Sequence, residues 1–386
     1  MNIKYQKLKM QSKKQIKKIC YRPTWAEIDL SAIDFNFRQV KSITGKQTKV
    51  MAVIKCDAYG HGLLPVARRL IGLGADYLGV ASIDEAIALR KEKVKLPVLV
   101  LGNTLNEHTG PIVKYGLTQA VSDYKLASKL SHIAKREGKF IKVHIKVDTG
   151  MGRLGVLYRE AIILIKKIKK LDNLTIEGLF THFPCADSDS EFTSYQIEIF
   201  KQLISDLKKC GITVPICHAA NSMGLIGYPE SHFNLVRPGL MLFGIYPKRG
   251  LNIKLRPAFS LKTKAVFLKD MPSGQGISYG RNYITRKQTT VAVLSIGYGD
   301  GYPRNLSNRA DVLIKGRRFV ISGAICMDYI MVDIGNLPAK TGEEIVLIGS
   351  QAKIRISAEE LAQLSGTIAY EIVCGIGSRV PRVYLS

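Results

Sequence analysis

Four stretches of this 386-residue chain carry residue types that can do chemistry. In VIKCDAYGHG, residues 53–62, an apolar run ends in Lys55 and passes into a loop with two glycines. A lysine at such a strand end is partly desolvated, which lowers its pKa and supplies the neutral amine needed for a Schiff base; a lysine snorkelling to solvent is the bland alternative. KVDTGMGRLG, residues 146–155, holds Arg153 in a glycine-rich loop. Its Gly150, Gly152 and Gly155 also spell GxGxxG, with Glu177 about 20 positions on, a dinucleotide fingerprint on paper. That fingerprint ordinarily opens its own sheet, whereas several βα units precede this copy. His182 in LFTHF, His218 with Asn221 and Ser222 in CHAANS, and Arg237 with Gly239 in VRPGL lie at the ends of successive apolar runs. Singly, each histidine reads as a satisfied structural residue; together they would crowd one face of a barrel. The fourth stretch is GQGISYGRNY, residues 274–283, with Tyr279 in a glycine-flanked turn, where a lone tyrosine is most often plain surface.

The elements that must position these residues follow from periodicity. Apolar runs at Val50–Ile54, Tyr77–Val80, Val98–Leu101, Thr118–Val121, Lys142–Val147, Thr175–Phe180, Val214–Cys217 and Leu235–Leu240 alternate with helical segments such as Ala161–Leu171 and Glu191–Lys209. Eight such units predict an α/β fold with a (β/α)8 TIM-type barrel, followed by a mainly β C-terminal domain. Ser82 with Glu85 reads as a capping box, and Ser31 as the cap of the helix before the first barrel strand. After Pro247 the sequence turns to short alternating runs, Leu261–Phe267, Thr290–Ile296, Val312–Ile314 and Ile345–Ile348, with a single helix expected at Ser357–Ser365. The division predicted is a basic extension over residues 1–22, a barrel over 23–250 and a β domain over 251–386.

Composition narrows the function classes. With 46% hydrophobic residues the chain can bury a large core, and no apolar run approaches the roughly 20 residues of a spanning helix. The first 22 residues hold eight Lys or Arg and no acid, but no apolar block follows as a secretory signal requires, so a cytoplasmic protein is expected. Seven scattered cysteines form no CxxC pair, which favours reduced thiols and no metal site. The net charge of +26 (57 minus 31) would attract anions generally, but aromatics are not interleaved with the basic runs as a nucleic-acid groove would want, and no specific nucleic acid is expected.

VIKCDAYGHG closely resembles the cofactor-attachment motif of alanine racemases, and further motifs of that family follow in order across residues 24–386. The resemblance implies pyridoxal 5'-phosphate (PLP) attached to Lys55, with Tyr59 near the phosphate. Ser222, the backbone at Gly239 and Leu240, and Tyr370 would also bind phosphate, while Arg237 meets the pyridine nitrogen. Arg153 would contact the cofactor ring oxygen and the substrate carboxylate, held by Lys146 if that lysine is carbamylated. Tyr279 would be the second catalytic base, reaching the partner's active site in a head-to-tail homodimer, with His182 and Arg237 favouring its phenolate. IGYGDGYPR, residues 296–304, AICMDYIMVD, residues 324–333, and AYEIVCGIGSRVPR, residues 369–382, complete the match. Through them the backbone at Met327 approaches the substrate carboxylate and Tyr298 and Tyr370 narrow the entrance, with Asn221 and Asp328 in support. The implied activity is two-base interconversion of L- and D-alanine, feeding peptidoglycan. Racemisation of serine or basic amino acids, a barrel-type PLP decarboxylase and a single-barrel PLP carrier remain the alternatives.

Overall fold

The computed structural model describes residues 21–248 and 250–386; the basic extension up to residue 20 lies outside the described residues. Eight parallel strands form the first layer: β2 (Lys49–Val53), β3 (Tyr77–Val80), β4 (Val98–Val100), β5 (Thr118–Val121), β6 (Ile141–Asp148), β7 (Leu174–Phe180), β8 (Ile216–His218) and β9 (Leu235–Val236). Their order is β9-β2-β3-β4-β5-β6-β7-β8, so chain order equals spatial order and β9 returns to pair with β2. The seam between β8 and β9 is bridged by Asn234, whose side chain accepts from Cys217 N at 2.7 Å and donates to Pro215 O at 2.7 Å. These strands are almost wholly buried, as a parallel sheet covered by helices requires. The last apolar run is cut short at Val236, and Leu240–Phe243 wind into a 3-10 turn instead.

The helices follow from caps and stripes. α1 (Leu30–Thr44) is capped by Asp29, which accepts from Ala32 N at 3.0 Å; Ser31 does not cap it but donates to Asp29 Oδ1 at 2.7 Å. Ser31 sits two residues beyond the capping position, too far into the helix for the role expected of it. α2 (Leu63–Gly72) follows β2, and α3 (Ile83–Lys91) opens on the expected Ser82–Glu85 capping box. α4 (Thr109–Lys114), α5 (Tyr124–Arg136) and α6 (Ala161–Ile168) come next. α7 (Ser190–Lys209) starts at Asp189 and buries Thr193, Gln196, Ile197, Phe200, Leu203 and Leu207 on one face. Each large apolar member of that stripe contributes about 1.5–3 kcal/mol by leaving water, which is what fixes the helix on the barrel.

The C-terminal part is a twisted antiparallel sheet built on the long strand β10 (Phe259–Met271). β11 (Thr289–Leu294), β12 (Asp311–Ile314), β13 (Arg317–Val320), β14 (Ile330–Gly335), β15 (Glu344–Gln351) and β16 (Ile354–Ile356) extend it. The first strand of the chain, β1 (Thr24–Asp29), lies here and not in the barrel: it pairs antiparallel with β10 and parallel with β17 (Arg382–Leu385). Ser357 caps α9 (Ala358–Ser365) as expected, accepting from Glu360 N at 3.1 Å. In the barrel, α8 spans Ser222–Gly227; in the C-terminal part a second helix, α10 (Ala369–Gly375), follows α9 and corrects the expectation of a single one, being at seven residues too short to show a helical period. Among the described residues no helix is long and apolar enough to cross a membrane.

Candidate active site

The strand ends of the barrel and α10 enclose a cavity of about 950 Å³. Lys55 enters it directly after β2, from a turn in which Cys56, Asp57, Ala58 and Tyr59 all have positive φ, between 51° and 55°. The turn is pinned at both ends: Cys56 N donates to Glu85 Oε1 at 2.5 Å, and Leu63 N donates to Asp57 Oδ1 at 2.7 Å. Burial, and then the charge of Arg153, push the Lys55 amine below its usual range, which favours the neutral nucleophilic form. Tyr59, at the end of the same turn, packs its ring 5.2 Å from Phe243 and 6.0 Å from Tyr370. Burial raises its phenol above the usual range, leaving a protonated donor.

Beside this turn lies a cradle of hydrogen-bonding groups. Asn221 caps α8 by accepting from Met223 N and Gly224 N, which sets Ser222 at the helix start; Gly239 N donates to Ser222 Oγ at 3.0 Å. A Cβ at Gly239 would stand 2.5 Å from the Tyr59 hydroxyl, so only glycine lets that phenol approach the backbone. Ser222, Gly239, Leu240, Asn221, Tyr59 and Tyr370 all line the cavity.

The remaining wall is cationic. Arg153 lines the cavity from a loop wound around Asp148, whose carboxylate accepts from the backbone N of Gly150, Met151 and Gly152 at 2.8–2.9 Å. The GxGxxG spacing therefore serves a carboxylate-centred loop and not a dinucleotide. Lys146 is only 5% exposed and sits 5.6 Å over the Phe180 ring. Burial, then Arg153 and Arg237, bring its pKa down to about 8. Arg237 is buried too; burial lowers it to about 9, so it remains a cation at neutral pH. Its Nη2 donates to Thr181 O at 2.6 Å and Ala219 O at 2.9 Å, and lies 3.4 Å from His182 Nδ1. His182 is held far below its ordinary pKa by burial and by Arg237, and is neutral. Five basic side chains line the cavity, Lys55, Lys146, Arg153, Arg237 and Lys248, against two acidic ones, Asp187 and Glu359. Such an imbalance in a confined space selects an anionic ligand. A lysine amine beside a neutral phenol, a hydroxyl–backbone cradle and excess positive charge fit a phosphorylated aldehyde.

Four expected residues lie elsewhere. Tyr279, Met327, Tyr298 and Asp328 do not line the cavity but gather on the outer face of the β domain. Ser278 Oγ donates to Ala324 O at 2.6 Å, Tyr298 N donates to Cys326 O at 3.0 Å and Gly299 N donates to Met327 O at 2.9 Å, so three turns form one unit. Asp328 pairs with Arg379 at 2.6 Å. Tyr279 is 73% exposed and Met327 54%. Sequence reasoning missed Asp148 and Thr181, and it overlooked His144. For His144 the signal was present in β6, IKVHIKVD, where every second residue is polar and so faces one side of the strand.

Comparison with known proteins is consistent along the chain. The family description "Alanine racemase, N-terminal domain" matches residues 28–247, and "Alanine racemase, C-terminal domain" matches residues 258–384. An alanine racemase of Halothermothrix orenii is 47% identical over 367 residues, covering 94% of this chain and 97% of the relative. The solved structure of alanine racemase from Clostridium difficile 630 superposes with a TM-score of 0.91 at 39% identity, covering 95% of this chain and 97% of that one. A histidine racemase from Leuconostoc mesenteroides subsp. sake also superposes, at a TM-score of 0.88 and 29% identity over 95% of this chain and 99% of that one.

Proposed function

Because the chain belongs to the alanine racemase family, we propose that it interconverts L- and D-alanine, using PLP held at Lys55. The observation that carries this reading is the convergence of Lys55, with its lowered pKa, and an excess of cationic side chains on one cavity. Bound there, the cofactor supplies an electron-withdrawing ring that acidifies the substrate Cα–H. Tyr59, Ser222, the backbone at Gly239 and Leu240, and Tyr370 hold its phosphate. Arg237 faces the ring nitrogen as a permanent donor, which limits the electron demand of the ring and so suppresses competing chemistry. Arg153 and the Met327 backbone of a partner orient the substrate carboxylate.

Inversion at carbon needs a proton acceptor on one face and a donor on the other. Lys55 Nζ serves one face. The phenol of Tyr279 serves the other, and its exposure, like that of Met327, supports a head-to-tail homodimer in which each β domain completes the neighbouring barrel. A neutral His182 and the cationic Arg237 form the polar surroundings that this phenol would meet. Lys146, forced towards neutrality without a carboxylate partner in ion-pair range among the described residues, is set to be carbamylated, which would convert a repulsive neighbour of Arg153 into an anion. Action in the cytoplasm, delivering D-alanine to peptidoglycan synthesis, completes the reading; the cysteines among the described residues are all unpaired thiols.

A second substrate reading stands beside alanine because a histidine racemase shares the fold so closely. Purified protein with added PLP, offered each L-amino acid while the chiral products are followed, decides between them. Alanine should be turned over fastest, and Lys55→Ala should lose both turnover and the borohydride-reducible adduct. An adduct retained in Lys55→Ala would remove Lys55 from its role.

A further inference from the structure

Below the cavity, the barrel interior holds polar side chains that the reaction as described leaves unused. Arg237 Nη1 lies 2.8 Å from His218 Nδ1, His218 Nε2 lies 2.8 Å from His144 Nδ1, and His144 Nε2 lies 3.4 Å from Glu177 Oε2. Arginine can only donate, so His218 Nδ1 accepts and its proton is on Nε2. His144 Nδ1 must then accept in turn, leaving its own Nε2–H to point at the carboxylate. The direction of the whole chain follows from one end. Both imidazoles are fully buried, and burial holds both below the ordinary histidine pKa, so they are neutral links. Burial would raise Glu177, but hydrogen bonds from His144 and Lys142 outweigh it and hold the carboxyl at about 2.

Two backbone features are built around this row. The pairing of β6 with β7 steps from Val143–Ile176 to His144–Gly178, so Glu177 is the extra residue of a β-bulge and is aimed where regular alternation would not send it. A Cβ at Gly178 would stand 2.3 Å from His144 Nδ1, so glycine there makes room for the imidazole. Among the described residues, Arg237 has no carboxylate within ion-pair range, although it is 4% exposed. A buried cation without an anion is costly.

We propose that Glu177, acting through His144 and His218, is a positioning residue for Arg237: it fixes both imidazoles as Nε2–H tautomers and supplies the anionic end of a relay that holds the guanidinium at the cavity wall. The relay stands on geometry within this chain, and its catalytic consequence rests on the reading of Arg237 as the partner of the cofactor ring. Glu177, the acidic residue about 20 positions after the GxGxxG spacing, pairs with His144 and Lys142 in the barrel.

The test separates the two levels. Two-bond nitrogen–proton NMR spectra of histidine-labelled protein without PLP, with His144 and His218 assigned by substitution, should show both as neutral Nε2–H tautomers from about pH 6 to about pH 9. Glu177→Gln keeps an acceptor oxygen but removes the charge; it should retain the tautomers, shift the His218 nitrogen resonances and lower kcat of the PLP-loaded enzyme about tenfold, with KM changed less than about twofold. Glu177→Leu removes the acceptor as well and should mix the tautomers of His144. Protonation of His218 at Nδ1 in the unaltered protein would overturn the relay whatever the cofactor does. Wild-type kcat and unshifted His218 resonances in a folded Glu177→Gln protein would reduce Glu177 to a structural ion-pair partner of Lys142. Loss of PLP binding in the unaltered protein would instead overturn the proposed activity and leave the NMR result standing.

Discussion

The turn that presents Lys55 and the turn that presents Tyr279 are built from similar backbone and placed in opposite surroundings. Both contain non-glycine residues at positive φ, four in succession from Cys56 to Tyr59 in the first, and Ser278 at 66° and Arg281 at 50° in the second. Left-handed backbone costs an L-residue roughly 1–2 kcal/mol, so the first turn alone holds about 4–8 kcal/mol, comparable with the net stability of a whole domain. That cost is offset by burial of Ala58 and Tyr59, by the carboxylates of Asp57 and Glu85 on backbone N–H groups, and by α10 packing against Gly60. The second turn is also tied down, through Ser278 to Ala324, yet its tyrosine stands in solvent. One half of the proposed chemistry is enclosed by its own chain. The other, on that proposal, stands exposed on the outer face.

The largest effect should come from cutting the outward half. Tyr279→Phe should slow turnover of one enantiomer by about a hundredfold or more, and of L-alanine more than D-alanine, while the melting temperature stays within about 1 °C because an exposed hydroxyl contributes little. Mixing that variant with Lys55→Ala should restore roughly a quarter of wild-type activity, since half the dimers formed are mixed and each has one intact site. Equal small losses in both directions, or no recovery once mixed dimers are verified, would erase the distinction between enclosed and presented halves.

Gly60→Ala probes the enclosed half. A Cβ there would stand 2.4 Å from Val373 O at a φ of 77°, and thermal unfolding should show destabilisation of about 2–4 kcal/mol; an unchanged midpoint would mean that α10 is not seated on the turn. Lys146 gives the smallest effect. Carbamylation needs the neutral amine, which with a pKa of about 8 is roughly a tenth of the population at pH 7 and most of it above pH 9. At equal dissolved carbon dioxide, protein stripped of it at low pH should therefore recover activity faster at about pH 9 than at pH 7, a severalfold change; a rate independent of pH would rule out the depressed amine as the group that controls it.

Much of the barrel and its cavity was legible because strand and cap signals are local. Lys55 closes an apolar run, and Arg237 and His182 stand at the ends of two others. Tyr279 and Met327 were singled out only by likeness to a family, and nothing in their spacing ties them to a barrel mouth. The part Glu177 plays in the barrel was not legible because a one-residue bulge reverses the side to which a strand residue points, and hydrophobic alternation cannot register a bulge occupied by a charge. The second C-terminal helix escaped because seven residues are too few to display a period. Asp148 escaped because its partners are backbone amides two to four positions ahead, which no residue type advertises.

The placement of β1 between β10 and β17 gives the molecule a clasp. Residues 24–29 leave an interior strand of the C-terminal sheet and only then enter α1, so a cut near residue 250 does not yield two self-sufficient lobes. A fragment starting there would expose the unsatisfied edges of β10 and β17 to any passing strand, whereas the same fragment given a peptide matching residues 24–29 has its missing slat returned.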